Sequence, residues 1–349
     1  MQPILVSKQD STLFSDKDQI WADNAASSSF FGNVYVCYSA IRSRGNAHPQ
    51  PVMVSVSSDG GNTWTTQQVT EAATNAQHGF RTGTTIRTDS NGVVYLFFAH
   101  FAVGTPGTGT HAMVKSCDGG QTWTHPQDML SMNDACYNID PVTGRCVEDG
   151  IAGARNDISA SPSVDIANGA PTGADATDEI VDTWVDGRLG LSTEKVMLSY
   201  STNGGDSWSS PIAISSAGDR GFCAAAAISP IAQGLYLGYN AFTTPYRANT
   251  SDSRSLVGVV LHADIDADGV PTDWTELHRS PEGDPRGSIY DPFNTAEWLG
   301  DYVYAIATST YGAAVWTDAR NAADCPAIDA WRMSLRGGPG APRPAPQQD

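Results

Sequence analysis

The sequence predicts an all-β fold, a β-propeller of four-stranded blades, on three observations. A glycine-rich octet recurs: SSDGGNTW at 57–64, SCDGGQTW at 116–123 and STNGGDSW at 201–208. Helical periodicity is nearly absent, and short β-rich runs alternate with turn signals. Those runs follow one order in five successive repeats. A segment that returns so regularly is a structural unit first. Four-stranded sheets standing radially about an axis make a propeller, and a closed ring protects their edges.

Each repeat opens with an inner run, continues with an aromatic-rich run, then an alternating run that ends in the glycine turn, then a short outer run. The first reads IWADN, NVYVCYSA, VMVSVSSDGGNTW, TTQQVT, and the second TGTTIRTDS, VVYLFFAHF, HAMVKSCDGGQTW, THPQDML. The third reads ISASPSVDIA, EIVDTWVDGR, KVMLSYSTNGGDSW, SSPIAI. The fourth reads FCAAAAISP, GLYLGYNAF, LVGVVLHADIDADGVPTDW, TELHRS. The fifth has DYVYAIATS, AAVWTDAR and AIDAWRMSL but no outer run. The N-terminal ILVSKQ has that outer character and is expected to complete the last blade. The domain then spans residues 1–335, followed by a Pro-rich tail at 336–349 that reads as linker or disorder.

The octets serve the hairpin between third and fourth strands. Glycine allows positive φ there, the Asp carboxylate accepts turn N–H groups, and the Trp folds back between sheets. Asn203 keeps an acceptor oxygen without the charge, which makes the role structural.

The net charge is −18 and the pI about 4.5. Such a surface repels phosphate backbones and anionic lipid, so nucleic-acid and membrane partners are not expected. No apolar run reaches the roughly 18 residues that span a bilayer. Six cysteines are too few for a disulfide scaffold, but Cys136 and Cys146 bracket a polar loop that they can close. Cys37 lies in an apolar strand pattern and reads as a buried thiol. No signal peptide is visible after Met1, so either the chain is cytoplasmic or its leader was removed. Acidity, four Lys among 20 basic residues, and the loop disulfide favour export with the leader removed.

Ser-x-Asp-x-Gly-x-x-Trp is the Asp-box pattern of the sialidase superfamily, and the chain resembles that superfamily at Ser57, Asp59, Gly61 and Trp64 and at Ser116, Asp118, Gly120 and Trp123. Ser201, Gly205 and Trp208 match with Asn203 substituted. The chain is also similar to bacterial BNR-repeat, sialidase-like proteins in DSTLFSDKDQIWADN, in NVYVCYSA, and in the paired Trp184-x-Asp186-x-Arg188 and Trp316-x-Asp318-x-Arg320. The resemblance covers most of residues 1–335. It implies six blades, against the five repeats counted. It also implies a glycoside hydrolase that removes a terminal acidic sugar from a glycan. Members hold the sugar carboxylate with three arginines, whose guanidinium groups bind it bidentately. Their nucleophile is a Tyr activated by a carboxylate, because an anionic nucleophile would meet an anionic substrate. An Asp serves as acid/base.

Carried over residue by residue, Phe80-Arg81-Thr82 resembles the start of the family's Phe/Tyr-Arg-Ile-Pro motif, which holds the first arginine. Arg155 and Arg220 stand for the other two, Tyr290 for the nucleophile and Glu297 for its base. The first box precedes Arg81, Ile-Pro does not follow it, and HFAVGTPGTGTHAM offers His100 and His111 where an acidic Asp belongs.

Three functional readings follow: a sialidase-like hydrolase, a glycan-binding propeller without catalysis, and a lyase on a uronic acid sugar that uses His100 or His111 as base. Beside them stands a purely structural role, in which the arginines pair with neighbours such as Asp157 and Asp219. The Trp-x-Asp-x-Arg pairs read as internal salt bridges. No cofactor is expected. Asp264, Asp266 and Asp268 before Gly269 resemble half a calcium loop, but the closing position 275 is Thr, so an acidic hairpin is the simpler reading.

Overall fold

The structure is a computed structural model. It describes residues 4–7, 12–42, 50–71, 79–104, 107–136, 146, 149–151, 159–249, 251–287, 299 and 302–321.

Four sheets of four antiparallel strands and one of two account for the strands among these residues. The first sheet holds β1 (Leu13–Ala22), β2 (Val34–Arg42), β3 (Val52–Ser57) and β4 (Thr65–Gln68). The second holds β5 (Phe80–Thr88), β6 (Val94–Phe101), β7 (Thr108–Ser116) and β8 (Gln127–Asn133). The third holds β9 (Ser163–Ile166), β10 (Ile180–Asp186), β11 (Lys195–Ser201) and β12 (Ile212–Ala213). The fourth holds β13 (Arg220–Ile228), β14 (Gly234–Phe242), β15 (Leu256–Ile265) and β16 (Pro271–Arg279). β17 (Tyr304–Ala307) and β18 (Gly312–Val315) pair as the last. In every sheet, neighbours in sequence are neighbours in space. Each sheet coincides with one sequence repeat. The third run of the last repeat, 327–335, lies outside the described residues, and Ile4–Ser7 form no strand. No described helix is long and apolar enough to cross a membrane.

The first strands of all five sheets meet at one cavity. Gln19, Thr84, Ser163, Ala225 and Tyr304 each reach it from a different sheet. Gly83 shows how close these strands come: at its φ of +64°, an added Cβ would lie 2.2 Å from Ser161 Oγ. The first and last sheets touch through Lys17, whose Nζ sits 5.2 Å from the Tyr302 ring centroid.

Apolar side chains fill the seams between consecutive sheets. β6 is covered on both faces, which is why VYLFFAHF reads as an unbroken apolar run rather than an alternation. Leu96 and Phe98 pack with Tyr35, Val52 and Val54 of the first sheet. Phe97 and Phe101 point the other way, onto Val164 and Trp184 of the third. Removing such area from water contributes about 25 cal/mol per Å².

The three glycine-rich turns share one hydrogen-bond scheme. Ser57 Oγ donates to Asp59 Oδ1 at 2.8 Å and accepts from the Gly61 amide at 2.8 Å. Asp59 Oδ1 also accepts the Asn62 and Thr63 amides, and Trp64 Nε1 donates to the Gly61 carbonyl. Ser116, Asp118, Gly120 and Trp123 repeat the scheme. At the third turn Asn203 Oδ1 accepts from Ser201 Oγ and the Ser207 amide, as its remaining oxygen allows. Trp208 Nε1 there has no hydrogen-bond partner among the described residues. Trp123 packs into the seam of the first two sheets, Trp208 into the next, and Trp274 of the fourth sheet into the one after. Gly120 (φ +88°) lies so near the first sheet that a Cβ would meet Val56 at 2.9 Å.

Cys136 and Cys146 form a disulfide, with Cα atoms 5.3 Å apart. Cys37 is fully enclosed, and burial pushes its thiol up to about 12.

Candidate functional site

Hydroxyl groups give the central cavity its character. Thr84, Thr85, Ser159, Ser161 and Tyr302 line it beside Lys17. Arg87 also reaches it, but its Nε is bonded to Asp165 Oδ1 at 3.2 Å and its guanidinium stacks on Trp21. Among the described residues that line it, none is Asp or Glu. Such a wall suits a ligand with many hydroxyls, neutral or negatively charged.

Two predicted site residues come together at the edge of this region. Arg81, two positions before cavity-lining Gly83, is the cross-strand partner of His100. Partners in an antiparallel pair share a face, here the one turned toward the first sheet, with Leu96 and Phe98. Arg81 is 5% exposed, and its side chain makes no hydrogen bond or ion pair among the described residues. Burial lowers its pKa, opposed by the charges of Glu71 and Asp128. His100 keeps 29% side-chain exposure, with Nδ1 3.6 Å from Asp128 Oδ1. Thr110 Oγ1 donates to the same carboxylate at 2.8 Å and fixes it.

Two other expectations are corrected. Arg220 does not present a bare guanidinium. Its Nε and Nη2 donate to Glu194 at 2.9 and 3.0 Å, Nη2 also to Asp149 Oδ1 at 2.6 Å, and Nη1 to the Thr244 carbonyl. Burial alone would lower its pKa, but these two acids outweigh it and raise it. Arg254 grips the other oxygen of Asp149. A cation so neutralised cannot also clamp a substrate carboxylate. His111 cannot reach a substrate as a base, because it is fully enclosed, with Nδ1 2.6 Å from Asp182 Oδ2 and Nε2 2.7 Å from the Ala160 carbonyl. Its ring also meets Trp184 edge-on, centroids 5.0 Å apart.

Arg155, Tyr290 and Glu297 lie outside the described residues. The Trp-x-Asp-x-Arg pairs are internal bridges: Arg188 bonds Asp186 and Arg320 bonds Asp318. Asp266 Oδ1 accepts the Asp268 and Val270 amides at 2.9 Å each, so Asp264, Asp266 and Asp268 belong to the β15–β16 hairpin. Among the described residues, no three Asp, Glu, His or Cys side chains converge as a metal cage.

Sequence reasoning missed the partners of Arg220. The nearby Asp219 bonds Arg279 and Tyr239 instead. It also passed over the hydroxyl wall, although TGTT and SASPS carry those residues in their inner runs.

The class defined by these observations is an all-β protein of antiparallel sheets around a polar cavity. No protein-family model matches the sequence, and no curated protein sequence does. Among solved structures, the chain is similar to an α-L-arabinanase of Penicillium chrysogenum complexed with arabinobiose, at 14% identity and a TM-score of 0.46, covering 84% of this chain and 70% of that one. It is similar to the α-L-arabinofuranosidase Arb93A of Fusarium graminearum, also at 14% and 0.46, over 84% and 75%. For the Hadza microbial sialidase Hz136 the values are 13% and 0.39, over 84% of this chain and 61% of that one.

Proposed function

We propose that the chain is a glycan-acting enzyme, a sialidase-like glycoside hydrolase that takes a terminal acidic sugar at the mouth of the central cavity. One observation supports this above others: Arg81 is an enclosed guanidinium without an ion-pair partner among the described residues, beside a hydroxyl-lined cavity whose described lining brings no carboxylate. A sugar carboxylate would supply the partner that an enclosed cation needs, in a bidentate bond. In this reading the fold is a five-bladed propeller, and the protein works outside the cell. Arg155 joins Arg81; Tyr290 attacks the anomeric carbon as the glycosidic C–O bond breaks, Glu297 takes the Tyr proton, water protonates the leaving oxygen, and a second water then hydrolyses the tyrosyl–sugar bond. Arg220 is left to its structural pairing.

The test is release of fluorophore from a panel of acidic-sugar glycosides, sialosides first. Hydrolysis by the wild type, with loss in Arg81→Ala and Tyr290→Phe, is the expected result. An inert panel, or undiminished turnover by Arg81→Ala, overturns the reading.

A second reading, a uronate-directed lyase, is favoured by the Arg81–His100 pairing. Arg81 would neutralise the uronate carboxylate. His100 would take the proton α to it while the glycosidic oxygen leaves from the β carbon, which forms the unsaturated uronate. Ultraviolet absorbance growing on uronate polymers, lost in His100→Ala, distinguishes it. Glycan binding without either product would make the chain a binding module.

A further inference from the structure

Glu179, immediately before β10, is 2% exposed, and its Oε1 has no hydrogen-bond partner among the described residues. Its other oxygen faces the β15–β16 turn across the seam of the third and fourth sheets: a Cβ built on Gly269 would stand 3.1 Å from Oε2. Asp266 in that turn spends Oδ1 on two backbone amides, and its Oδ2 accepts no hydrogen bond from the described residues. Burial, then the charge of Asp266, raises the Glu179 carboxyl to about 7. No Lys, Arg or His among the described residues bonds to Glu179.

An enclosed carboxylate set against an acidic turn, with no described Lys, Arg or His bonded to it, is a costly arrangement. Hard divalent cations are bound by such oxygens, and calcium accepts irregular sets completed by carbonyls and water. The Asp-Ile-Asp-Ala-Asp-Gly turn has the first half of a calcium loop but Thr275 at the place of the closing glutamate. Glu179 comes to that turn from the neighbouring sheet.

We propose that the seam between the third and fourth sheets binds a calcium ion through Glu179 and Asp266, with carbonyls and water completing its shell. The ion ties two sheets together, and the site is independent of the glycan reading above.

The test is thermal unfolding of the full chain, stripped with EDTA and then titrated with calcium chloride. At roughly a hundredfold excess over Kd, Tm should rise by about 4 °C, and magnesium chloride should do less. Glu179→Gln and Asp266→Asn should each remove the response. Terbium luminescence, excited through neighbouring aromatic rings and chased by calcium chloride, reads the same site on the wild type alone. A wild-type Tm indifferent to calcium, an equal rise in both variants, or no terbium signal displaced by calcium overturns the proposal.

Discussion

His111 Nδ1 and Asp182 Oδ2 lie 2.6 Å apart across the seam of the second and third sheets, and both side chains are fully enclosed. The Ala160 carbonyl at Nε2 can only accept, so Nε2 carries a proton, and a second proton lies between Nδ1 and the carboxylate. Burial alone pushes His111 down, but the Asp182 charge, the bond to it and the carbonyl hold it above its ordinary 6.5.

The folded chain therefore keeps a proton that the unfolded chain loses near pH 6.5. The stability from this pair is complete below that value and falls as pH rises through the folded pKa. Asp182→Asn, whose amide can donate to a neutral imidazole, should flatten that alkaline decline. His111→Ala should cost about 3–5 kcal/mol by leaving an enclosed carboxylate alone. Urea unfolding from pH 6 upward measures both.

Arg220 should behave as a structural residue. Glu194→Ala leaves its guanidinium enclosed and half-paired, and a loss of about 3–5 kcal/mol is expected, read from the urea midpoint. Arg220→Lys, which lacks the planar fork, should also destabilise. Its folded fraction should still bind acidic sugars as the wild type does, whereas Arg81→Lys should lose at least roughly tenfold in affinity. Isothermal titration compares the two.

His100 separates the two chemistries. His100→Gln should leave hydrolysis of an acidic-sugar glycoside nearly intact. The same change should abolish β-elimination. Initial rates against pH on both substrate classes decide between them.

The glycine-rich turns should report acid. The Thr63 amide and hydroxyl and Ser57 hold the Asp59 carboxyl down at about 2. The Thr122 hydroxyl and amide and Ser116 do the same for Asp118. A depressed folded pKa gives stability that is present above the unfolded value of 3.8 and disappears as pH falls toward 2. Asp59→Asn with Asp118→Asn keeps one acceptor oxygen at each turn, as Asn203 does. The double variant should fold at neutral pH and show a shallower acid limb in denaturation curves from pH 5 to 2.

The repeats were legible because each sheet is one contiguous stretch with its own period and turn, so local pattern and tertiary position coincide. The candidate site was less so. Arg220 reads like a free cation, because the acids that neutralise it lie 26 and 71 residues away in sequence. His111 reads as a loop base until β7 is seen to extend through it and turn it onto Asp182. Arg81 bonds to no described side chain, although the charges of Glu71 and Asp128 act on it. Asp266 looked like half of a motif, and the partner proposed for it, Glu179, enters from just before β10 of the neighbouring sheet.

Trp123, Trp208 and Trp274 each lean toward a sheet made earlier in the chain, never a later one. The ribosome therefore delivers the pieces in the order in which they fit: a nascent chain that ends after the second sheet already owns a finished joint, and each newly emerged piece docks on a completed surface. The contact of Lys17 with Tyr302, from the first sheet to the last, must wait until the fifth sheet has emerged.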